Sequence, residues 1–71
     1  MTNEDLTPSE LRVLVAVESR HGFSAAAVEL GLTQSAVSHA VRAAERKMGT
    51  VLFRRGRNGA RPTAAGAAAV G

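Results

Sequence analysis

The sequence predicts a mainly α-helical domain, with three helices around one core, a two-stranded hairpin and the start of a fourth helix. Three observations carry this. Apolar residues recur at helical spacing in three segments, each opened by a capping residue (Thr7, Ser24, Thr33) and closed at a glycine (Gly22, Gly31, Gly49). Asn58-Gly59, a strong hairpin turn signal, separates two short stretches. Finally, 71 residues hold one domain, and with Phe23 and Phe53 as the only aromatics its core must be built from Leu, Val and Ala.

The first helix starts at "TPSE", residues 7–10, a capping box with proline at the first helical position, so Thr7 accepts from the Glu10 amide while Glu10 reaches back. Leu11, Leu14 and Val15 form one side of it, and Val13 and Val17 broaden the apolar arc before His21-Gly22 ends the helix. That arc of about 200° exceeds the stripe of around 100° usual for a surface helix, so a second partner is expected on its far side. Ser24 reads as the N-cap of a short helix "AAAVEL" closed by Gly31, and Thr33 as the N-cap of a third helix over 34–48 closed by Gly49. On that third helix Val37, Val41, Ala44 and Met48 fall within about 60° of one another, with Ala40 at the edge. Ser35, Ser38, His39, Arg42 and Arg46 follow the same rhythm on the opposite side. Val51–Arg54 reads as a strand and Ala60–Pro62 as a returning edge strand, with Arg55 and Arg57 at the tip. Thr63 then caps a helix in "AAGAAAVG", too short to hold alone against the roughly 12–15 residues that make an isolated helix marginal, so it should fray unless it docks on Val13 and Val17.

Charge narrows the function. Residues 1–35 sum to −3 and residues 36–71 to +6, with Arg42, Arg46, Lys47, Arg54, Arg55, Arg57 and Arg61 against Glu45 alone. A polycationic half points to nucleic acid or another anionic surface, a solvated basic face being the plain alternative. Without cysteine there is neither a disulfide framework nor a thiolate metal site, and a reducing cytoplasm is the expected compartment. No apolar run approaches the roughly 20 residues of a membrane span, and Glu4 and Asp5 do not suit a signal peptide. An enzyme would need a nucleophile with its base, a carboxylate pair or a phosphate loop, and "GRNGARPTAAG" lacks the Gly-Lys-Ser/Thr ending of a P-loop. No cofactor or metal is expected. A short helix, the turn "GLT" and a second helix with a polar, basic outer face make a helix-turn-helix, whose second helix can enter the DNA major groove. The hairpin adds a wing, so the fold class is a winged helix-turn-helix.

At these residues the sequence resembles a known family. "FSAAAVELGLTQSAVSHAVRAAERKMGTVLFRR" followed by "RPTAAG" is similar to the winged helix-turn-helix of LysR-type transcriptional regulators, over about Leu6 to Gly66. The resemblance implies a bacterial regulator that binds double-stranded operator DNA, forms a homodimer or tetramer at full length, and senses a small-molecule effector through a carboxy-terminal domain that these residues do not include. It divides the chain into a DNA-binding domain, 1–63, and the start of a linker and dimerisation helix, 64–71. Three positions depart from the family pattern: Ala44 and Met48 stand where leucine is usual, thinning the core behind the third helix, and Pro62 replaces a leucine and should weaken pairing on the second wing strand.

The candidate DNA-binding residues are Ser24, Thr33, Gln34, Ser35, Ser38, His39, Arg42, Arg46, Arg55 and Arg57. Gln34 and Ser35 stand at a helix amino terminus, where side chains and free amides meet phosphates or base edges, and glutamine suits adenine by a bidentate pair. Arg42 would contact guanine or phosphate. His39 has an ordinary surface histidine as its rival reading, and His21 reads as a loop residue. Arg55 and Arg57 would touch the minor groove or its phosphates, although hairpin tips are also basic for solubility. The competing function is a winged helix used only for protein association, which the wide arc of the first helix would serve; it would need no basic face on the third.

Overall fold

In the computed structural model the elements follow in the order α1 (Pro8–Arg20), α2 (Phe23–Leu30), α3 (Gln34–Met48), β1 (Phe53–Gly56), β2 (Gly59–Pro62) and α4 (Ala64–Val70). The structure describes residues 6–56 and 59–70, with Arg55 described by its backbone alone. The capping box forms as the sequence predicts: the Glu10 amide donates to Thr7 Oγ1 at 3.1 Å and the Thr7 amide to Glu10 Oε1 at 2.9 Å. At the other end of α1 it is His21, not Gly22, that takes the left-handed conformation (φ 57°, ψ 32°), while Gly22 is extended and becomes the N-cap of α2.

The three helices enclose a core in which Leu14, Val17, Val37 and Leu52 are fully buried. Burying one such side chain contributes about 1.5–3 kcal/mol, so these few positions supply much of what so small a domain has. On α1 the buried set is Val13, Leu14, Ala16 and Val17, an arc of about 160° at 100° per residue, and Val15 lies outside it, 47% exposed. The expected grouping of Val15 with Leu11 and Leu14 is therefore corrected: the arc centres on Val13 and Val17, because α2 and α3 pack against α1 and α4 packs against it too. α4 buries Gly66 and Ala69. On α3, Val37, Val41 and Ala44 are buried and Ala40 and Met48 half-buried, as the periodicity requires.

The strands pair antiparallel with Phe53 opposite Pro62, Arg54 opposite Arg61, Arg55 opposite Ala60 and Gly56 opposite Gly59. Two expectations shift here. The first strand begins at Phe53, not Val51, since the Leu52 amide donates to the Glu45 carboxylate at 2.9 Å instead of to a neighbouring strand. The Gly56–Gly59 pair puts the two connecting residues at 57 and 58, one earlier than Asn58-Gly59; Arg57 and Asn58 lie outside the described residues. Pro62 does not weaken the ladder. The Thr63 amide donates to the Leu52 carbonyl across the ladder, whereas the Ala60 amide points the other way, to the His21 carbonyl at 2.9 Å. By alternation the nitrogen of residue 62 shares that outer side, where no ladder bond is lost.

Two glycines are fixed by close approach. Gly59 (φ 109°) lies so near the His21 carbonyl that any side chain would overlap it, and Gly66 lies as close to the Leu52 carbonyl. Helix propensity alone favours Ala over Gly by about 1 kcal/mol within a helix. For Gly66→Ala we expect the opposite sign, a loss of about 1–3 kcal/mol in urea unfolding, because the obstacle is backbone on both sides. An unchanged or raised unfolding midpoint would show that α4 can lift off Leu52 without loss.

Candidate nucleic-acid interface

Because the buried stripe of α3 faces the core, its other side is turned outward. Ser35, His39 and Arg42 are exposed there and Ser38 is half-buried; with Gln34, exposed at the flank of the stripe, these side chains line a single open depression on the surface of the helix. Thr33 holds the start of α3, its Oγ1 accepting from the Ala36 amide at 3.0 Å. Gly31, left-handed at φ 69°, turns the chain between α2 and α3.

Ser24 is not the N-cap that the sequence suggests. α2 starts one residue earlier, at Phe23, with Gly22 as an N-cap that makes no side-chain bond. Phe23 is buried, and placing its ring in the core draws it into the first turn. Ser24 thereby becomes the second residue of α2 and its hydroxyl donates to Gln34 Oε1 at 2.9 Å, joining the two helices at the surface.

The remaining candidates lie further along. Arg46 is exposed and borders a second shallow depression with Arg42, Glu45, Gly49, Thr50 and Val51. Arg55 has its backbone in β1 opposite Ala60, and Arg57 lies outside the described residues. Sequence reasoning left out Arg54 and Arg61, which are exposed and stand directly opposite each other across the wing. Like charges so placed repel, and an anion over the pair would relieve that. Period-two alternation in "FRRG" and "GARP" could have put them on one face, given the register.

Glu10, Glu29 and Glu45 bond within the fold. The ion pairs among the described residues are Arg20 with Glu29, and Lys47 Nζ with Glu10 Oε1 at 2.8 Å. Glu45 turns its carboxylate toward the wing, where Oε2 accepts from the Leu52 amide at 2.9 Å and the Phe53 amide at 3.4 Å. Arg42, Arg46, Arg54 and Arg61 all stay exposed.

The family model of the bacterial regulatory helix-turn-helix proteins, lysR family, matches residues 8–67. The chain belongs to the LysR family. It is the DNA-binding domain of a LysR-type transcriptional regulator, and the family is one of regulators, not enzymes. The LysR-family domain is 53% identical over 58 residues to the probable HTH-type transcriptional regulator LrrA of Synechococcus elongatus, covering 82% of this chain and 20% of that protein. To the HTH-type transcriptional activator AmpR of Rhodobacter capsulatus it is 43% identical over 63 residues, covering 89% of this chain and 22% of AmpR. The chain thus spans about a fifth of the length of the curated relatives it matches. Among solved structures, the crystal structure of the CbnR DBD–DNA complex superposes with a TM-score of 0.84 at 32% identity, covering 87% of this chain and 71% of that one. Full-length LysG from Corynebacterium glutamicum superposes at 0.85 with 34% identity, covering 92% of this chain and 22% of LysG. Among the described residues of this LysR-family domain, no helix is long and apolar enough to cross a membrane.

The Glu10–Lys47 pair ties the start of α1 to the end of α3. The Lys47 ammonium first, then the Thr7 backbone amide, hold the Glu10 carboxyl below its ordinary value of 4.5. A carboxyl with a lowered folded value adds stability above its unfolded value and loses it as pH falls through the folded one. We expect Glu10→Gln to cost at most about 1 kcal/mol near neutral pH, because Lys47 is 38% exposed and screened. In urea unfolding series the gap from wild type should hold above the ordinary carboxyl value of 4.5 and close as pH falls through the lowered folded value. A gap that persists at low pH would mean that Glu10 acts through packing and not charge.

Proposed function

We propose that the domain binds operator DNA sequence-specifically, with α3 in the major groove and the β1–β2 wing along the flanking minor groove and its phosphates. One observation carries the reading: five hydrogen-bonding side chains, Gln34, Ser35, Ser38, His39 and Arg42, share one open depression on the surface of α3. A helix with its side chains is about 10–12 Å across, and the major groove is about 12 Å wide. Gln34 reads adenine by a bidentate pair and Arg42 reads guanine or grips a phosphate. Ser35 and Thr33, with the first amides of α3, meet a phosphate, His39 tunes base preference, and Arg46, Arg55 and Arg57 meet the backbone. Residues 1–63 form the DNA-binding unit and 64–71 the beginning of a linker helix.

One solved structure is of full-length LysG from Corynebacterium glutamicum with bound effector Arg. By analogy the whole regulator pairs as a homodimer or tetramer, reads half-sites about one helical turn or a multiple apart, takes a small-molecule effector outside these residues, and acts in the cytoplasm.

If about four cations neutralise phosphates, log affinity should fall against log salt with a slope near −3.6, roughly 10²-fold between about 50 and 200 mM. Fluorescence anisotropy titrations measure it, and a slope near zero would remove DNA from the leading position. Arg42→Ala and Gln34→Ala should each lower affinity for a cognate duplex by about 1–3 kcal/mol and affect a scrambled duplex little, whereas Arg46→Ala should weaken both alike. Equal losses on the two duplexes for Arg42 and Gln34 would mean that the outer face of α3 positions the protein without reading bases.

A further inference from the structure

Ser24 and Gln34 are the first polar side chains of α2 and α3, and their backbones are held from opposite sides. Phe23, buried in the core, fixes the start of α2, while the left-handed Gly31 and the Thr33 cap fix the start of α3. The two anchors bring Ser24 Oγ within 2.9 Å of Gln34 Oε1, although both residues are exposed. Gln34 also stands where two surface features meet: it lines the depression on α3 and, together with Ser24, the cleft between the start of α2 and the wing glycines 56 and 59.

We propose that Ser24 is a positioning residue that sets the base preference of this domain by holding the Gln34 amide, and that it is not itself a phosphate anchor. This rests on the reading of Gln34 as a residue that contacts a base edge. The hydroxyl of serine carries one proton. Here that proton goes to Gln34 Oε1, neither to a helix cap nor back to a carbonyl of its own helix, so nothing remains to donate to a phosphate oxygen. Gln34 loses little by the arrangement. Its Oε1 keeps a second lone pair and its Nε2 keeps both hydrogens, which are the acceptor and donor that the N6 and N7 edge of adenine requires. An exposed glutamine is otherwise free about three side-chain torsions, and ordering it on DNA opposes binding through lost conformational entropy. The bond from Ser24 orders it beforehand. The gain falls on the base that Gln34 reads and on no other.

The test is a double-mutant cycle on the purified protein: wild type, Ser24→Ala, Gln34→Ala and the double variant. Each is titrated by fluorescence anisotropy against a cognate duplex selected from a randomised pool, against duplexes substituted at single positions, and against a scrambled duplex, with thermal unfolding alongside. Ser24→Ala should reduce discrimination at the position lost in Gln34→Ala by about three- to tenfold. Affinity for the scrambled duplex and the unfolding temperature should stay unchanged, Ser24→Thr should restore discrimination, and Ser24→Ala should have no further effect in the Gln34→Ala background. A Ser24→Ala loss that is equal on all duplexes, or that persists without Gln34, makes Ser24 a phosphate anchor and overturns the proposal while leaving Gln34 a base reader. Should Gln34→Ala change no base preference, the assignment of Gln34 falls and the positioning role falls with it.

Discussion

The backbone of Leu52 is the point on which the arrangement of the other elements depends. Its amide donates to the carboxylate of Glu45 on α3, and its carbonyl accepts from both the amide and, at 3.2 Å, the hydroxyl of Thr63. The same carbonyl lies against Gly66, where only a residue without a side chain leaves room, and the Leu52 side chain is fully buried. One residue thus joins α3, the wing and α4. A charged acceptor makes a stronger hydrogen bond than a neutral one, so the Glu45 bonds secure the angle between α3 and the wing better than a turn alone would. Thr63 completes the joint: besides its bonds to Leu52 and Val51 it caps α4 through the Gly66 amide.

A second joint, at His21, fixes the wing from its other side. The His21 carbonyl accepts from the Ala60 amide, and Gly59 allows β2 to come that close. A left-handed conformation at a non-glycine residue is unfavourable, and it persists where the surroundings determine it. Here it turns the chain from α1 into α2 and aims the carbonyl at the wing in one step. Glu45 and Lys47 tie the C-terminal end of α3 to the wing and to α1, while Gln34, Ser35, His39 and Arg42 stay exposed on its first turns. The Ser24 bond to Gln34 lies at the edge of that surface.

The elements that were legible in the sequence are those written in local chemistry. Thr7, Glu10, Thr33, Gly31 and Gly49 act within a few residues of themselves, and each does in the structure what its position suggests. The two faces of α3 followed from its period alone. What escaped was set by contacts between distant segments. Ser24 looks like a cap until the buried ring of Phe23 claims the first turn. A partner for the wide arc of α1 was expected, and α4 packs against α1, but the period alone put Val15 with Leu11 and Leu14 where the structure leaves it exposed. The strand began late because the Glu45 carboxylate, seven residues back, takes the Leu52 amide. Arg54 and Arg61 face each other only through the register of the hairpin, which one residue of turn placement decides. The faces of the site could be read, then, but not the bonds that orient it.

The distribution of charge follows the same division. The acidic half of the sequence is not simply an opposite pole to the basic half. Glu29 meets Arg20, and Glu10 meets Lys47, a cation of the basic half that sits on the side of α3 next to α1. Glu45, the one acid after residue 35, is turned from the outer face toward backbone amides. Glu29 and Glu10 therefore neutralise cations that join parts of the fold, while Arg42, Arg46, Arg54 and Arg61 stay on the surface. Concentrated on one helix face and one hairpin, four such charges act on an approaching polyanion at distances within a Debye length of about 8–10 Å, where they reinforce one another. The modest net charge of +3 understates this, because it counts acids that the fold has already engaged.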